Sequence, residues 1–363
     1  MNITIIGCGH GGQALAAHLS FSQHQVTLYA DEAHPGFIDK ISNNFISLEG
    51  KIVGETTVAC LTKDISVALK DAEVIYISLP TDAHLPQFRK MLPWLQKGQM
   101  VITLAGNFSS LYFYRELALA GREKDIYLAD IASLPYACRA HQAGKISIID
   151  IKRVIDIAAM PSQHTEKVIN KIRGHFPTEL TASENILELG LNITSAISHP
   201  AIMLMNAGRI GKGEEEFYFY KQGVSREIAN IIERLDNERQ KIGRLFGFSL
   251  PGYLDIMEKF YAVKYPSYYD FFTRSLVHNQ QKLCPTSVSN RYLSQDVPYV
   301  MVPWYNLGLS LGCESAVMRS IIDLSSVLNN TCYHRNGRTL ADDFFCKMSI
   351  PDISQYMLTG SAN

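Results

Sequence analysis

Residues 3–31 read ITIIGCGHGGQALAAHLSFSQHQVTLYAD. A short apolar run leads into Gly7-x-Gly9-x-x-Gly12. A stretch of helical character follows from Ala14 to Leu19, and a second apolar run closes on Asp31. Nothing else in the chain constrains its fold as tightly, because spacing, context and closing acid agree. Gly7 suits a tight turn out of a strand. Gly9 lets backbone approach a pyrophosphate, and Gly12 lets helix and strand pack closely. A helix starting here offers open N–H groups and a positive dipole end to phosphate. These residues predict a βαβ dinucleotide-binding unit with Gly7, Gly9, His10, Gly11 and Gly12 in its turn. The competing reading is a glycine-rich turn with no ligand; the flanking strand and the acid favour the nucleotide.

Asp31 narrows the cofactor. A carboxylate at the end of the second strand accepts hydrogen bonds from ribose hydroxyls and repels a 2′-phosphate. No Arg or Lys lies between Gly12 and Lys40, so nothing nearby is expected to welcome that phosphate. NAD (NADH) is the expected cofactor and NADP the less favoured one. FAD shares the fingerprint but ranks third, since no other segment suggests a flavin.

The 363 residues exceed one simple core and suit two domains. Net charge is −1, from 34 basic and 35 acidic residues, with no long basic run. That leaves no electrostatic footprint for nucleic acid. No apolar run reaches the roughly 18 residues of a membrane helix, and a strand starting at residue 2 leaves no room for a leader. Seven cysteines without CxxC spacing indicate neither a disulfide framework nor a zinc site. No metal and no membrane or nucleic-acid partner is expected, and a reduced, cytoplasmic compartment fits. Cys8 reads as a small side chain fitted into the turn. A homodimer is compatible with this plan, but the sequence does not fix the assembly.

The first half alternates strand and helix. Val74–Leu79, Met100–Leu104 and Ile126–Ile131 read as parallel strands buried on both faces. Thr81–Leu95 and Ser109–Ala120 read as helices between them. The loops Ser78-Leu79-Pro80-Thr81 and Ala105-Gly106-Asn107 follow strands, at the sheet edge where ligands bind. Pro80 is thus a cofactor-site candidate. Asn107 is a candidate for contact with nicotinamide or substrate, weighed against a simple turn or cap role. Ser162–Arg173 reads as helix, and beyond Ser183 the chain reads as almost wholly helical, with Ser225–Phe246 and Ala316–Leu328 the clearest amphipathic segments. The expected fold is α/β: a doubly wound Rossmann domain over 1–185, then a mainly α-helical domain over 186–363. Residues 330–363 carry no firm pattern beyond a turn at Arg335–Arg338.

Redox chemistry on an organic substrate needs an acid/base group and a cation for a substrate carboxylate. Two segments of the second half offer them. In Ser198-His199-Pro200, the proline predicts a helix break at His199, from which the imidazole could project into a cleft between domains. In Asn290-Arg291-Tyr-Leu-Ser-Gln-Asp296-Val-Pro298, an Arg, an Asp and an Asn fall within seven residues. By spacing alone, His199 reads more often as structural and Arg291 with Asp296 as a surface ion pair.

The chain resembles the opine dehydrogenases, the NAD(P)-dependent octopine/nopaline dehydrogenase family. The matching words are Gly7–Gly12, Leu28-Tyr-Ala-Asp31-Glu-Ala33, Leu134-Pro-Tyr-Ala-Cys-Arg139, Ser198-His199-Pro200-Ala201-Ile202 and Asn290-Arg291-Tyr-Leu-x-x-Asp296-Val-Pro298. They occur in family order, and the last three are the most specific. The resemblance implies a second domain of the 6-phosphogluconate dehydrogenase C-terminal-like kind. It also implies reduction of an imine formed from an α-keto acid, such as pyruvate, and an amino acid or related amine. It implies His199 as acid/base group, Asp296 as its partner and Arg291 as carboxylate ligand. Asn107 falls where a relative has Gln in a substrate loop. Ser133 falls where a relative has Thr and would meet the amino donor. The segment between Gly211 and Tyr220 departs from the family pattern. Two alternatives stay open. One is a 2-hydroxy-acid or ketopantoate-type reductase, disfavoured by Asp31 and by the lack of that enzyme's Lys and Glu words. The other is a non-catalytic NAD-sensing protein, which would have no need of a His/Asp pair.

Overall fold

β-branched and aliphatic runs build most of the first half. The strands are β1 (Asn2–Ile6), β2 (Gln25–Tyr29), β3 (Phe45–Gly50), β4 (Gly54–Thr57), β5 (Cys60–Thr62) and β6 (Val74–Ile77). They continue with β7 (Met100–Leu104), β8 (Tyr127–Ile131), β9 (Tyr136–Gln142), β10 (Lys145–Ile151), β11 (Val154–Met160) and β12 (Glu179–Ala182). This computed structural model describes residues 1–213, 216–280 and 283–361. It divides into two compact units, Met1–Leu189 with Ser354–Asn363, and Gly190–Ile353. The closing segment therefore returns to the first unit, where the Tyr114 hydroxyl donates to the carbonyl of Gly360 at 3.2 Å. The sequence division at 185/186 had kept that segment with the helices.

Eight strands form one sheet in the order β12-β11-β8-β7-β6-β1-β2-β5. β1 pairs in parallel with β2 on one side and β6 on the other. Strand order reverses there, so the turn leaving β1 opens onto the crevice where α/β sheets bind ligands. Every residue of β6 and β7 is buried, as strands covered on both faces require. The helices α1 (His10–Phe21), α2 (Ile65–Leu69), α3 (Thr81–Met91), α4 (Ser109–Leu119) and α5 (Thr165–Ile172) provide the cover. α3 ends at Met91, short of the expected Leu95; Leu92 keeps helical backbone and a hydrogen-bonded turn follows, in which Pro93 has no amide to donate.

Two features depart from the parallel alternation. β11 runs antiparallel to β8. The chain between them passes through the β9–β10 pair and not through a helical crossover, so nothing forces it parallel. A second sheet, ordered β4-β3-β10-β9, packs on α1. The sequence reading did not anticipate it. Its central contact is the parallel pairing of Ser47 with Lys145, far apart in the chain.

The second unit is helical. Its opening helices are α6 (Ile186–Leu191, which straddles the division), α7 (Ser195–Met205), α8 (Ala207–Lys212) and α9 (Arg226–Leu245). α7 lies against α9, the short helix Arg291–Ser294 and the helix Ala316–Leu328. α9 buries Ile232, Leu235 and Ile242, but the same face buries Asp236 and Arg239 at 0% exposure. The pair meets at 2.7 Å. Arg239 also donates to the Leu191 carbonyl at 2.9 Å and to Asn192 Oδ1 at 2.9 Å. Asp236 accepts from the Tyr253 amide at 2.9 Å and the Tyr268 hydroxyl at 2.7 Å. A fully hydrogen-bonded ion pair of this kind tolerates burial, and it pins the turn that launches α7. The turn expected at Arg335–Arg338 is a single helical turn, Tyr333–Asn336, ended by Gly337.

Candidate functional site

The β1–α1 turn packs its glycines tightly against neighbouring backbone and leaves one side open. Gly7 has φ +113°, and a Cβ there would lie 2.4 Å from the Ser78 carbonyl. A Cβ on Gly12 would lie 1.8 Å from the Gly7 carbonyl. Both positions therefore exclude any side chain. A Cβ on Gly11 would meet Leu134 Cδ2 at 2.8 Å, whereas one on Gly9 meets nothing within 4 Å. The open space is thus in front of Gly9, at the start of α1, whose N-cap carries no side-chain bond. Uncapped amides facing open space at a helix start fit a pyrophosphate. His10 turns away from this role: its Nδ1 accepts from the Ala140 amide at 2.8 Å and ties α1 to β9. Cys8 is buried and its thiol is pushed up to about 12 by burial, an inert filler of the turn. Pro80 forms the N-cap of α3, with extended backbone.

Asp31 lies just beyond β2. Its Oδ1 accepts from the Ala33 amide at 3.0 Å, and its Oδ2 pairs with Lys90 Nζ at 2.5 Å. Lys90 holds the carboxyl below the usual range, aided by the Ala33 amide. This corrects one expectation: a cation does stand at Asp31, supplied by the last turn of α3 and not by the nearby chain.

The loop after β7 is strained, with Ala105, Asn107 and Phe108 all at positive φ. Asn107 Nδ2 donates to Thr81 Oγ1 at 2.8 Å, joining the two strand-end loops. Ser133 Oγ accepts from Lys152 Nζ at 3.0 Å, and the same ammonium donates to the Leu134 carbonyl at 2.8 Å. Burial pushes Lys152 down to about 8.

In the second unit, His199 and Asp296 meet. His199 Nδ1 lies 2.7 Å from Asp296 Oδ2, with side chains only 14% and 13% exposed. A carboxylate accepts, so this contact assigns the Nδ1 proton to the imidazole. Asp296 Oδ1 accepts from Ser195 Oγ at 2.9 Å, which fixes the carboxylate plane. The Tyr220 hydroxyl lies 2.9 Å from His199 Nε2. Burial raises this phenol well above its usual range, so it acts as a neutral donor or acceptor. Tyr292 stacks on the imidazole at 4.0 Å between centroids. Arg291 is exposed, one residue before that ring. Its short helix is capped by Asn290, whose side chain accepts from the Tyr292 amide at 3.2 Å. The expected helix break at His199 is absent: α7 runs through Pro200, forgoing the one amide bond the ring cannot donate.

Sequence reasoning missed Ser195, Tyr220, Tyr292 and Lys90. Ser195 had a signal, since it stands four residues before His199 on the same helix face. Tyr220 had none. It ends the divergent segment 211–220, of which residues 214 and 215 lie outside the described residues.

Residues 182–329, which carry His199, Arg291 and Asp296, match the α-helical domain of NAD/NADP octopine/nopaline dehydrogenases. The helical part of the chain is thus similar to that of the octopine/nopaline dehydrogenases. Residues 2–111 match the N-terminus of NAD-dependent glycerol-3-phosphate dehydrogenase, a second statement of the nucleotide-binding half. An opine dehydrogenase from Arthrobacter sp. (strain 1C) is 26% identical over 338 residues, 93% of each chain. An octopine dehydrogenase solved with NADH and L-arginine shares the fold, with TM-score 0.77 and 17% identity, covering 100% of this chain and 99% of that one. A yersinopine dehydrogenase solved with NADP+ has TM-score 0.73 at 14% identity, covering 99% and 98%. Among the described residues no group of side chains is arranged to hold a metal ion. None of the described helices is long and apolar enough to cross a membrane.

Proposed function

We propose that this chain is an opine dehydrogenase that uses NADH to join an α-keto acid, pyruvate first among them, to the amino group of an amino acid or related amine. The observation that carries the reading is His199 held at both ring nitrogens, by Asp296 and Tyr220, in a chain whose other unit keeps an open dinucleotide turn. The keto acid and amine condense with loss of water to an imine. When bound, the cofactor supplies the hydride that reduces the imine carbon.

The protein's part is binding, orientation and proton management. Asp296 holds the proton on Nδ1, stabilises the imidazolium and leaves Nε2 as the atom that exchanges a proton with substrate. Tyr220 shares that atom, donating to the neutral ring and accepting from the charged one. Ser195 and Tyr292 keep carboxylate and imidazole in register. Arg291 offers a planar fork to a substrate carboxylate. Asn107 and Ser133 are the strand-end candidates for contacts to keto acid and amine. Gly7, Gly9, Gly11, Gly12 and the His10 backbone hold the pyrophosphate, with Pro80 at the adjoining strand end and Asp31 at the ribose.

The test follows NADH absorbance with a keto acid, with and without a panel of amino acids and amines. Oxidation should require both organic substrates, because orientation of two carboxylates around one carbon supplies much of the rate. Fast oxidation with keto acid alone, unchanged by any amine, would assign the chain to the 2-hydroxy-acid or ketopantoate-type reductases. NADH binding without turnover of any pair would favour the sensor.

A further inference from the structure

Cofactor choice in dinucleotide folds is read at the end of the second strand, where an acid favours ribose hydroxyls and a cation favours a 2′-phosphate. This chain places one of each there. Asp31 follows β2, and Lys90 reaches it from the last turn of α3, 59 residues away in sequence. The two ends differ in freedom. Asp31 is 18% exposed and fixed at its other oxygen by the Ala33 amide, whereas Lys90 is 54% exposed on a four-carbon stem. Tyr29 at the end of β2 and Gln87 on α3 are buried, at 4% and 5% exposure. The carboxylate is thus held in place, and the ammonium is the group that can swing.

We propose that Lys90 is the residue that sets this enzyme's discrimination between NADH and NADPH: it neutralises Asp31 and is a latent ligand for the 2′-phosphate. The proposal rests on the reading of the first unit as a dinucleotide site. An isolated Asp31 would repel a 2′-phosphate with a full charge. The ion pair presents almost no net charge, so the repulsion is blunted. Rotation of the exposed ammonium toward a phosphate would convert it to attraction. Exposed pairs are weak, which makes the exchange of partners inexpensive.

Three variants of the full chain separate these roles: Lys90→Met, Asp31→Ser and the double variant. Binding is read without substrates, by calorimetry with ADP and 2′,5′-ADP and by nicotinamide fluorescence with NADH and NADPH. The pair is exposed on Lys90's side, so circular dichroism and melting should match the unaltered protein. Asp31→Ser should tighten 2′,5′-ADP relative to ADP by about 10-fold, since the freed ammonium gains a phosphate partner. That gain should vanish in the double variant. Lys90→Met alone should widen the NADH preference over NADPH by roughly 5-fold or more and should flatten the salt dependence of NADPH binding. Equal 2′,5′-ADP affinity in the Asp31→Ser and double variants would overturn the proposal, as would an unchanged NADH/NADPH ratio in Lys90→Met. If the unaltered protein bound neither ADP nor NADH, the dinucleotide reading itself would fall, and the proposal with it.

Discussion

Asp296→Asn is the most informative single change in the second unit. The amide has the shape of the carboxylate and can still accept from Ser195, so packing is preserved while the charge is lost. Charge centres about 4 Å apart interact by about 4 kcal/mol at an effective dielectric near 20. The two side chains retain 14% and 13% exposure, so partial solvent screening brings the stabilisation of the imidazolium to about 2–3 kcal/mol. By the rate law this is roughly 10²-fold in the proton-transfer step. The tautomer adds to it, since an amide N–H facing Nδ1 would put the ring proton on Nε2 of the neutral ring. We expect kcat for reductive condensation to fall about 10²–10³-fold at neutral pH. NADH affinity, measured by fluorescence, should stay within about twofold, because that site is built from residues of the other unit. A variant with near-normal kcat would refute the acid/base assignment of His199.

Three further outcomes follow from other residues. Gly9→Ala should fold with a stability loss of about 1 kcal/mol or less, since its methyl meets nothing within 4 Å, yet weaken NADH binding about 10-fold or more by occupying the phosphate approach. Gly12→Ala should lower both melting temperature and NADH affinity, because its methyl would lie 1.8 Å from the Gly7 carbonyl. His175 is pushed down from 6.5 to about 4 by burial and then by neighbouring His24. The unfolded chain therefore takes up a proton that the fold refuses, so this contribution is complete above pH 6.5 and is lost as pH falls toward 4. Urea titrations should show a loss between pH 7 and 4.5 that is about 2 kcal/mol smaller in His175→Gln. An equal loss in both proteins would remove His175 from the account.

Much of the nucleotide-binding half is legible in the chain because its signals are local. A tight turn, a close helix–strand approach and a strand-end acid each demand one residue type at one spacing, and Gly7, Gly12 and Asp31 satisfy them within thirty-one residues. Buried strands such as Val74–Ile77 announce themselves by being apolar throughout. His199 and Asp296 carried no such signal by spacing; only the resemblance of their surrounding words raised them above ordinary core and surface residues.

Tertiary structure decided the rest. Contact between His199 and Asp296, 97 residues apart, depends on how α7 meets the segment that follows Arg291–Ser294. Tyr220 reaches the second ring nitrogen from a segment with no recognisable pattern. The β3–β10 pairing and the Arg239 anchor of the α7 turn likewise join distant chain segments. Asp31 shows the division most sharply. Its neighbours in sequence are free of Lys and Arg up to Lys40, and that much was readable. Its neighbour in space is Lys90. Charges interact through distance in space, whereas sequence patterns report only what one turn of helix, one strand or one loop requires of itself.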